Sequence, residues 1–234
     1  MADLGKGDLD EATLAQLDPV VAKLIREVGL QRLGIVATYG WYDDPKRLAF
    51  SFARYKFVAK MIDGYTDVLE VGCADGFASR ITAQAAGSLT AVDLDGVMIE
   101  SAKQTYVGPW PIDFRQHDML AGPVAGKFNA IYSLDVLEHI EPRDERRFLD
   151  NLVAPLSEHG LCIIGMPSLQ SQAYASKYSK QNHVNCKDQR DFKALMKTYF
   201  HTVLAFSAND EIVHTGYHQM SHYNLMVCTG KTSG

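Results

Sequence analysis

No stretch of about 18 apolar residues occurs in the chain, so no membrane-spanning helix is expected. Basic excess is missing too. Acidic residues outnumber Lys and Arg 28 to 23 and the net charge is −5, which argues against broad contact with a nucleic-acid backbone. The four cysteines (Cys73, Cys162, Cys186 and Cys228) show no C-x-x-C spacing, which favours reduced thiols and a cytoplasmic setting. Cys73 has no positive neighbour to make it a nucleophile. The opening residues 1–5 lack the basic-then-apolar layout of a secretory leader. Repeats, linkers and low-complexity segments are absent as well, which leaves 234 residues for one α/β domain with a sizeable core.

The segment Asp67-Val-Leu-Glu-Val-Gly-Cys-Ala-Asp-Gly76 organises the rest. Val68, Leu69 and Val71 make the short apolar run of a buried parallel strand. Gly72 and Gly76 follow, and then residues 77–86 read as a helix. A strand that enters a helix through glycines brings its backbone close to a ligand. The spacing is G-x-x-x-G and not G-x-G-x-x-G, and Glu70 stands at the strand end. A carboxylate there disfavours a dinucleotide pyrophosphate and suits a cationic ligand.

Further strands are expected at residues 89–93, 112–119 (ending in a polar turn), 130–134, 160–165, 202–206 and 223–228. Helices are expected at 10–33 with a break at Pro19, then at 46–61, 97–106, 143–152 and 188–199. Val21, Leu24, Ile25, Val28 and Leu33 recur at helical spacing and would pack on the domain, close over a ligand or join two copies. Residues 39–45 read as an aromatic loop, and the last six residues as frayed. Asp93 falls seventeen residues after Gly76, where a doubly wound fold places the acid that binds ribose hydroxyls. A second signature is Phe128-Asn-Ala-Ile-Tyr-Ser-Leu-Asp-Val-Leu-Glu-His-Ile140, a strand that runs into a helix start at Asp135.

These two segments resemble the class I S-adenosylmethionine-dependent methyltransferases. The first motif of that family, E/D-x-G-x-G-x-G, is kept except for Ala74 at the middle glycine, tolerable there at negative φ. The D-V-L-E-H-I segment is matched letter for letter, with Asn129 where Asp is usual. The region around Arg54 is loosely similar to quinone-biosynthesis O-methyltransferases. The resemblance implies a doubly wound, Rossmann-like α/β fold whose seven-stranded sheet is mostly parallel with an antiparallel last strand. Residues 1–45 would form an N-terminal helical segment or lid, and residues 46–234 the domain. The implied cofactor is S-adenosylmethionine, leaving S-adenosylhomocysteine as product. Glu70, Gly72, Ala74 and Gly76 would cradle it, Asp93 and Leu94 would meet the ribose, and Asp118 and Met119 the adenine. Arg54 would pair with its carboxylate, the Leu134 carbonyl would accept from its ammonium, and Trp41 and Asp135 would lie alongside.

Two long polar connections, residues 168–187 and 207–221, are expected over that edge of the sheet. If the acceptor is a hydroxyl, a histidine is the natural base. His183, His214 and His218 are candidates, and Glu138 and His139 would also face the substrate. His214, His218 and His222 fall at i, i+4 and i+8, a zinc-like face on a helix that Gly216 opposes; Asp210 and Glu211 would offer oxygens, and no metal is expected. The expected partner is a small polar molecule, sugar-like among the choices, with oxygen preferred to nitrogen; nucleic acid and membrane are not expected, and a homodimer is open. The competing readings are an N-methyltransferase, an NAD(P)-dependent oxidoreductase, and an inactive partner that keeps the fold.

Overall fold

The computed structural model describes residues 9–232; the reading of residues 1–5 lies outside the described residues. Four helices precede the sheet: α1 (Glu11–Leu14), α2 (Pro19–Val28), α3 (Ile35–Asp43) and α4 (Lys46–Met61). Then come β1 (Asp67–Val71), α5 (Ser79–Ala83), β2 (Ser88–Asp93), α6 (Gly96–Thr105), β3 (Ile112–Gln116) and β4 (Phe128–Leu134). The chain continues through α7 (Glu145–Val153), β5 (Leu156–Pro167), α8 (Lys177–Asn182), α9 (Gln189–Met196), β6 (Phe200–Asn209), β7 (Ile212–His214) and β8 (Tyr223–Lys231). Short 3-10 turns lie at Leu137–His139, Gln170–Tyr174 and His218–Met220.

The strands lie in the order β3-β2-β1-β4-β5-β8-β6-β7. β1 to β5 are parallel, and β8 runs antiparallel between β5 and β6. This is the expected Rossmann-like α/β arrangement with eight strands instead of seven. The extra strand, β7, pairs only three residues with the end of β6, too short for alternation to reveal it. Period two sorts the core onto two faces. Leu69, Val71, Ile131 and Ile164 pack with Phe148, Leu152, Phe192 and Met196 on one side. Val68, Ala130, Tyr132 and Ile163 pack on the other with Val58 of α4 and with Ile62 just after that helix.

Several local expectations are corrected. The break at Pro19 is present, with α1 ending at Leu14 and Asp18 capping the start of α2 by accepting from the Val20 and Val21 amides, but the helix stops at Val28 and not at residue 33. On α2, Val21 and Leu24 are exposed, and the buried residue is Ala22. Residues 39–43 are helical, part of α3, and not a loop. The segment after β4 is a single 3-10 turn, since Asp135 takes φ +57 and interrupts the helical start. Residues 207–221 fold largely as the β6–β7 hairpin with its 3-10 turn. His214, His218 and His222 therefore share no helix. β8 extends to Lys231, so only residues 233–234 of the expected frayed tail lie outside the described residues.

Candidate active site

Because β1, β2, β3 and β4 are parallel, their carboxyl ends share one edge, and the connections leaving it carry the candidate residues. Gly72 has φ +85, and a Cβ there would lie 2.1 Å from Val136 Cγ2. Gly76 has φ +66, and a Cβ would meet Phe114 at 2.4 Å. Glycine is required at both positions by backbone and by space. Ala74 takes φ +48, not the expected negative value, a conformation that costs an L-residue about 1–2 kcal/mol. Its amide donates to Asp93 Oδ2 at 2.8 Å, which offsets part of that cost. Asp93 Oδ1 accepts from the Asp95 amide at 2.9 Å, so the carboxylate at the tip of β2 is held in one orientation. Leu94 beside it is exposed.

Glu70 lies on the α4 face of β1, as parity with Val68 requires. It is fully buried, and its Oε1 accepts from the Tyr55 hydroxyl at 2.7 Å. Its Oε2 has no hydrogen-bond partner among the described residues. Burial, above all, raises its pKa above the usual carboxylate range. Asp118 is exposed at the end of β3 with Oδ1 accepting from the Leu120 amide at 2.8 Å, while Met119 is buried. Trp41 is 62 % exposed on α3.

Arg54 of α4 spans to the tip of β4, where its Nη1 donates to both oxygens of Asp135 at 3.1 and 3.0 Å. Its guanidinium also stacks 3.7 Å from the Tyr223 ring centroid. Burial opposes the charge, yet Asp135 keeps the arginine pKa raised. The structure thus shows Arg54 paired to a protein carboxylate. The Asp135 amide is engaged by the Gly165 carbonyl at 3.0 Å.

Beside this pair opens a cavity of about 730 Å³ between α4, the Gln170–Tyr174 turn and the segment before β8. Arg47, Phe50, Arg54, Gln170, Gln172, Tyr174, His183, Asp210, His222 and Tyr223 are among the residues that line it. Of the three candidate bases only His183 reaches it. His214 has both ring nitrogens occupied, by Asn209 Oδ1 at 2.8 Å and the Gly216 amide at 2.9 Å. His218 sits 3.8 Å from Asp188. His222 lines the cavity instead, its Nε2 accepting from the Asp210 amide at 3.0 Å. Burial and then Arg54 lower its pKa, which keeps it neutral.

His183 stands edge-on to His139, with ring centroids 5.1 Å apart. Burial, and next the neighbouring imidazole, lower the His183 pKa. Glu138 is fully buried, and neither carboxylate oxygen has a hydrogen-bond partner among the described residues. Burial and the adjacent Asp135 push its pKa well up. Glu138, His139 and His183 each present a ligand atom within 4.8 Å of the others, and nitrogen and oxygen donors at that spacing fit a divalent cation. No spacing rule joins residue 183 to 138 and 139; the fold brings them together, with the Val184 and Asn185 amides both donating to the Glu138 carbonyl at 2.8 and 3.0 Å. Sequence reasoning also passed over Asp75. It is buried, and its Oδ2 accepts from the Ala37 amide at the start of α3 at 2.9 Å.

Residues 68–160 match the family model described as a methyltransferase domain. The chain is 31 % identical over 103 residues to the mitochondrial ubiquinone biosynthesis O-methyltransferase of Schizosaccharomyces pombe. That match covers 42 % of this chain and spans about a third (36 %) of the relative. Among solved structures, a putative methyltransferase in complex with the Trm112 activator of Haloferax volcanii superposes with a TM-score of 0.64 at 12 % identity, covering 84 % of this chain and 96 % of that one. The N-methyltransferase NodS of Bradyrhizobium japonicum, solved with S-adenosylhomocysteine, gives 0.57 at 18 % identity, covering 84 % and 92 %. At these identities the superpositions speak for the fold. Residues 68–160 are therefore similar to a methyltransferase domain, and the chain has the fold seen in these solved methyltransferases.

Proposed function

We propose that the chain transfers the sulfonium methyl of S-adenosylmethionine to a hydroxyl oxygen of a small polar molecule. One observation carries this reading: Arg54 belongs at once to the strand-tip cluster with Asp135 and to the wall of the 730 Å³ cavity, so a cofactor on the first and an acceptor in the second would touch. The Gly72–Gly76 backbone would lie against the methionine part, and Asp93 would accept from the ribose hydroxyls. Asp118 and Met119 would meet the adenine, and the Leu134 carbonyl the ammonium. Arg54 would turn one face of its fork to the cofactor carboxylate.

Methyl transfer is an in-line displacement in which the acceptor oxygen bonds to the methyl carbon as the carbon–sulfur bond breaks. The protein supplies orientation and shielding from water. His183, neutral and lining the cavity, would take the hydroxyl proton. The donor set of Glu138, His139 and His183 fits a divalent cation, and such an ion would supply Lewis acidity that lowers the pKa of a bound hydroxyl. Gln170 Oε1, which has no hydrogen-bond partner among the described residues, and the Tyr174 hydroxyl on the cavity wall suit a sugar-like or other polyhydroxylated acceptor. The likeness to an O-methyltransferase supports oxygen over nitrogen. Calorimetric titration with S-adenosylhomocysteine tests the cofactor half: Asp93→Ala should weaken binding by about 1–3 kcal/mol, and equal affinity would remove Asp93 from the site. Labelled cofactor offered to sugar, nucleotide and phenolic acceptors tests the other half, and transfer only to amines would move the reading to nitrogen.

A further inference from the structure

Resting on that reading, we infer that Gln172 is a positioning residue that fixes the tautomer of His183 and keeps its Nε2 lone pair free. The hydrogen bonds leave one solution. Ser171 Oγ donates its single proton to the Ser168 carbonyl at 2.8 Å, so toward Gln172 it accepts only. The Ser168 carbonyl is likewise an acceptor. The Gln172 atom that faces both, at 3.3 and 3.2 Å, is therefore the amide nitrogen. Its oxygen must then face His183 Nδ1, 3.0 Å away, and an amide oxygen cannot donate. Nδ1 carries the proton and Nε2 the lone pair.

The anchor beneath this chain is rigid. Ser168 is fully buried, its Oγ donates to the Ser221 carbonyl at 2.7 Å, and its amide donates to the His222 carbonyl at 2.9 Å. His139 is set the same way by a different group: its Nδ1 faces the Asn182 carbonyl at 3.0 Å, which leaves Nε2 open 4.0 Å from Glu138. An imidazole that must present a lone pair to a proton or an ion is commonly oriented by such a contact on its other nitrogen.

The test uses the full chain labelled with 15N-histidine, at a pH where the imidazoles are neutral. Long-range proton–nitrogen spectra should show His183 as the Nδ1–H form in the parent and in Gln172→Glu. In Gln172→Met, which keeps the bulk without the acceptor, His183 should move toward the Nε2–H form while His139 stays unchanged. Turnover of Gln172→Met should fall about 10–100-fold at unchanged S-adenosylhomocysteine affinity, and Gln172→Glu should recover part of it. A His183 tautomer indifferent to Gln172→Met overturns the inference, as does a shifted tautomer with full turnover. If the parent transfers no methyl group to any acceptor, the tautomer spectra still decide the positioning role, and the failure belongs to the proposed reaction.

Discussion

Ala74 is held in the left-handed region where glycine is relaxed. Ala74→Gly should therefore stabilise the chain by up to about 1 kcal/mol, the relieved strain exceeding the added freedom of the unfolded chain; urea midpoints at constant m-value check this. Glu70 makes a pH-dependent case. Its folded pKa is raised, so between the unfolded carboxylate value and the folded one the native state holds a proton that the unfolded chain has released. Stability from this residue is then lost as pH rises through that window. Glu70→Gln should match the parent near pH 4 and exceed it at pH 8 by about 1–3 kcal/mol, while losing cofactor affinity. Equal unfolding curves at pH 8 would show that Glu70 carries no burial penalty. The face of Glu70 was readable from alternation with Leu69 and Val71. The φ of Ala74 was not, because a motif lists residue types and the conformation is held by the Asp93 carboxylate that accepts from the Ala74 amide.

Helix α3 owes its start to a residue far along the chain. Gly34 precedes it with no side-chain cap, and the Asp75 carboxylate supplies the missing acceptor. A Cβ on Gly34 would lie 2.4 Å from that carboxylate, so the two residues are matched in shape. Asp75→Ala should cost about 1 kcal/mol and speed amide exchange across α3 while leaving the protection of β1 in place. Exchange unchanged in α3 would show that the cap is dispensable. Of the expected loop at residues 39–45, Pro45 does separate α3 from α4, whereas Gly40 is carried inside α3. A Cβ at Gly40 would touch Leu48 of α4 at 3.4 Å, so glycine serves packing there. By contrast α4 was legible, its expected span agreeing with the observed Lys46–Met61.

At the scale of the molecule, the two signatures at residues 67–76 and 128–140 pointed to a doubly wound, mostly parallel sheet, and the strand order came from the structure. The cavity was less legible, since its walls come from α4, the connection after β5 and the segment before β8. Alternation and spacing describe elements one at a time, and nothing in them aligns residue 183 with residues 138 and 139. That alignment has a measurable consequence. An ion shared by those three side chains would tie the turn after β4 to the connection after β5 and stabilise the folded state by mass action. Melting temperature should rise with added Mn²⁺ or Zn²⁺, and His183→Ala should abolish the rise. Melting that ignores both ions would leave the three residues as proton-transfer groups alone.

The position of β8 bears on how the protein is made. The last strand is wedged between β5 and β6, so those two neighbours stay unjoined until residues 223–231 have been synthesised. A nascent chain paused before that point exposes two open strand edges, a state prone to association. The two halves of the sheet are joined by residues 223–231, and complete pairing waits for that segment to be synthesised.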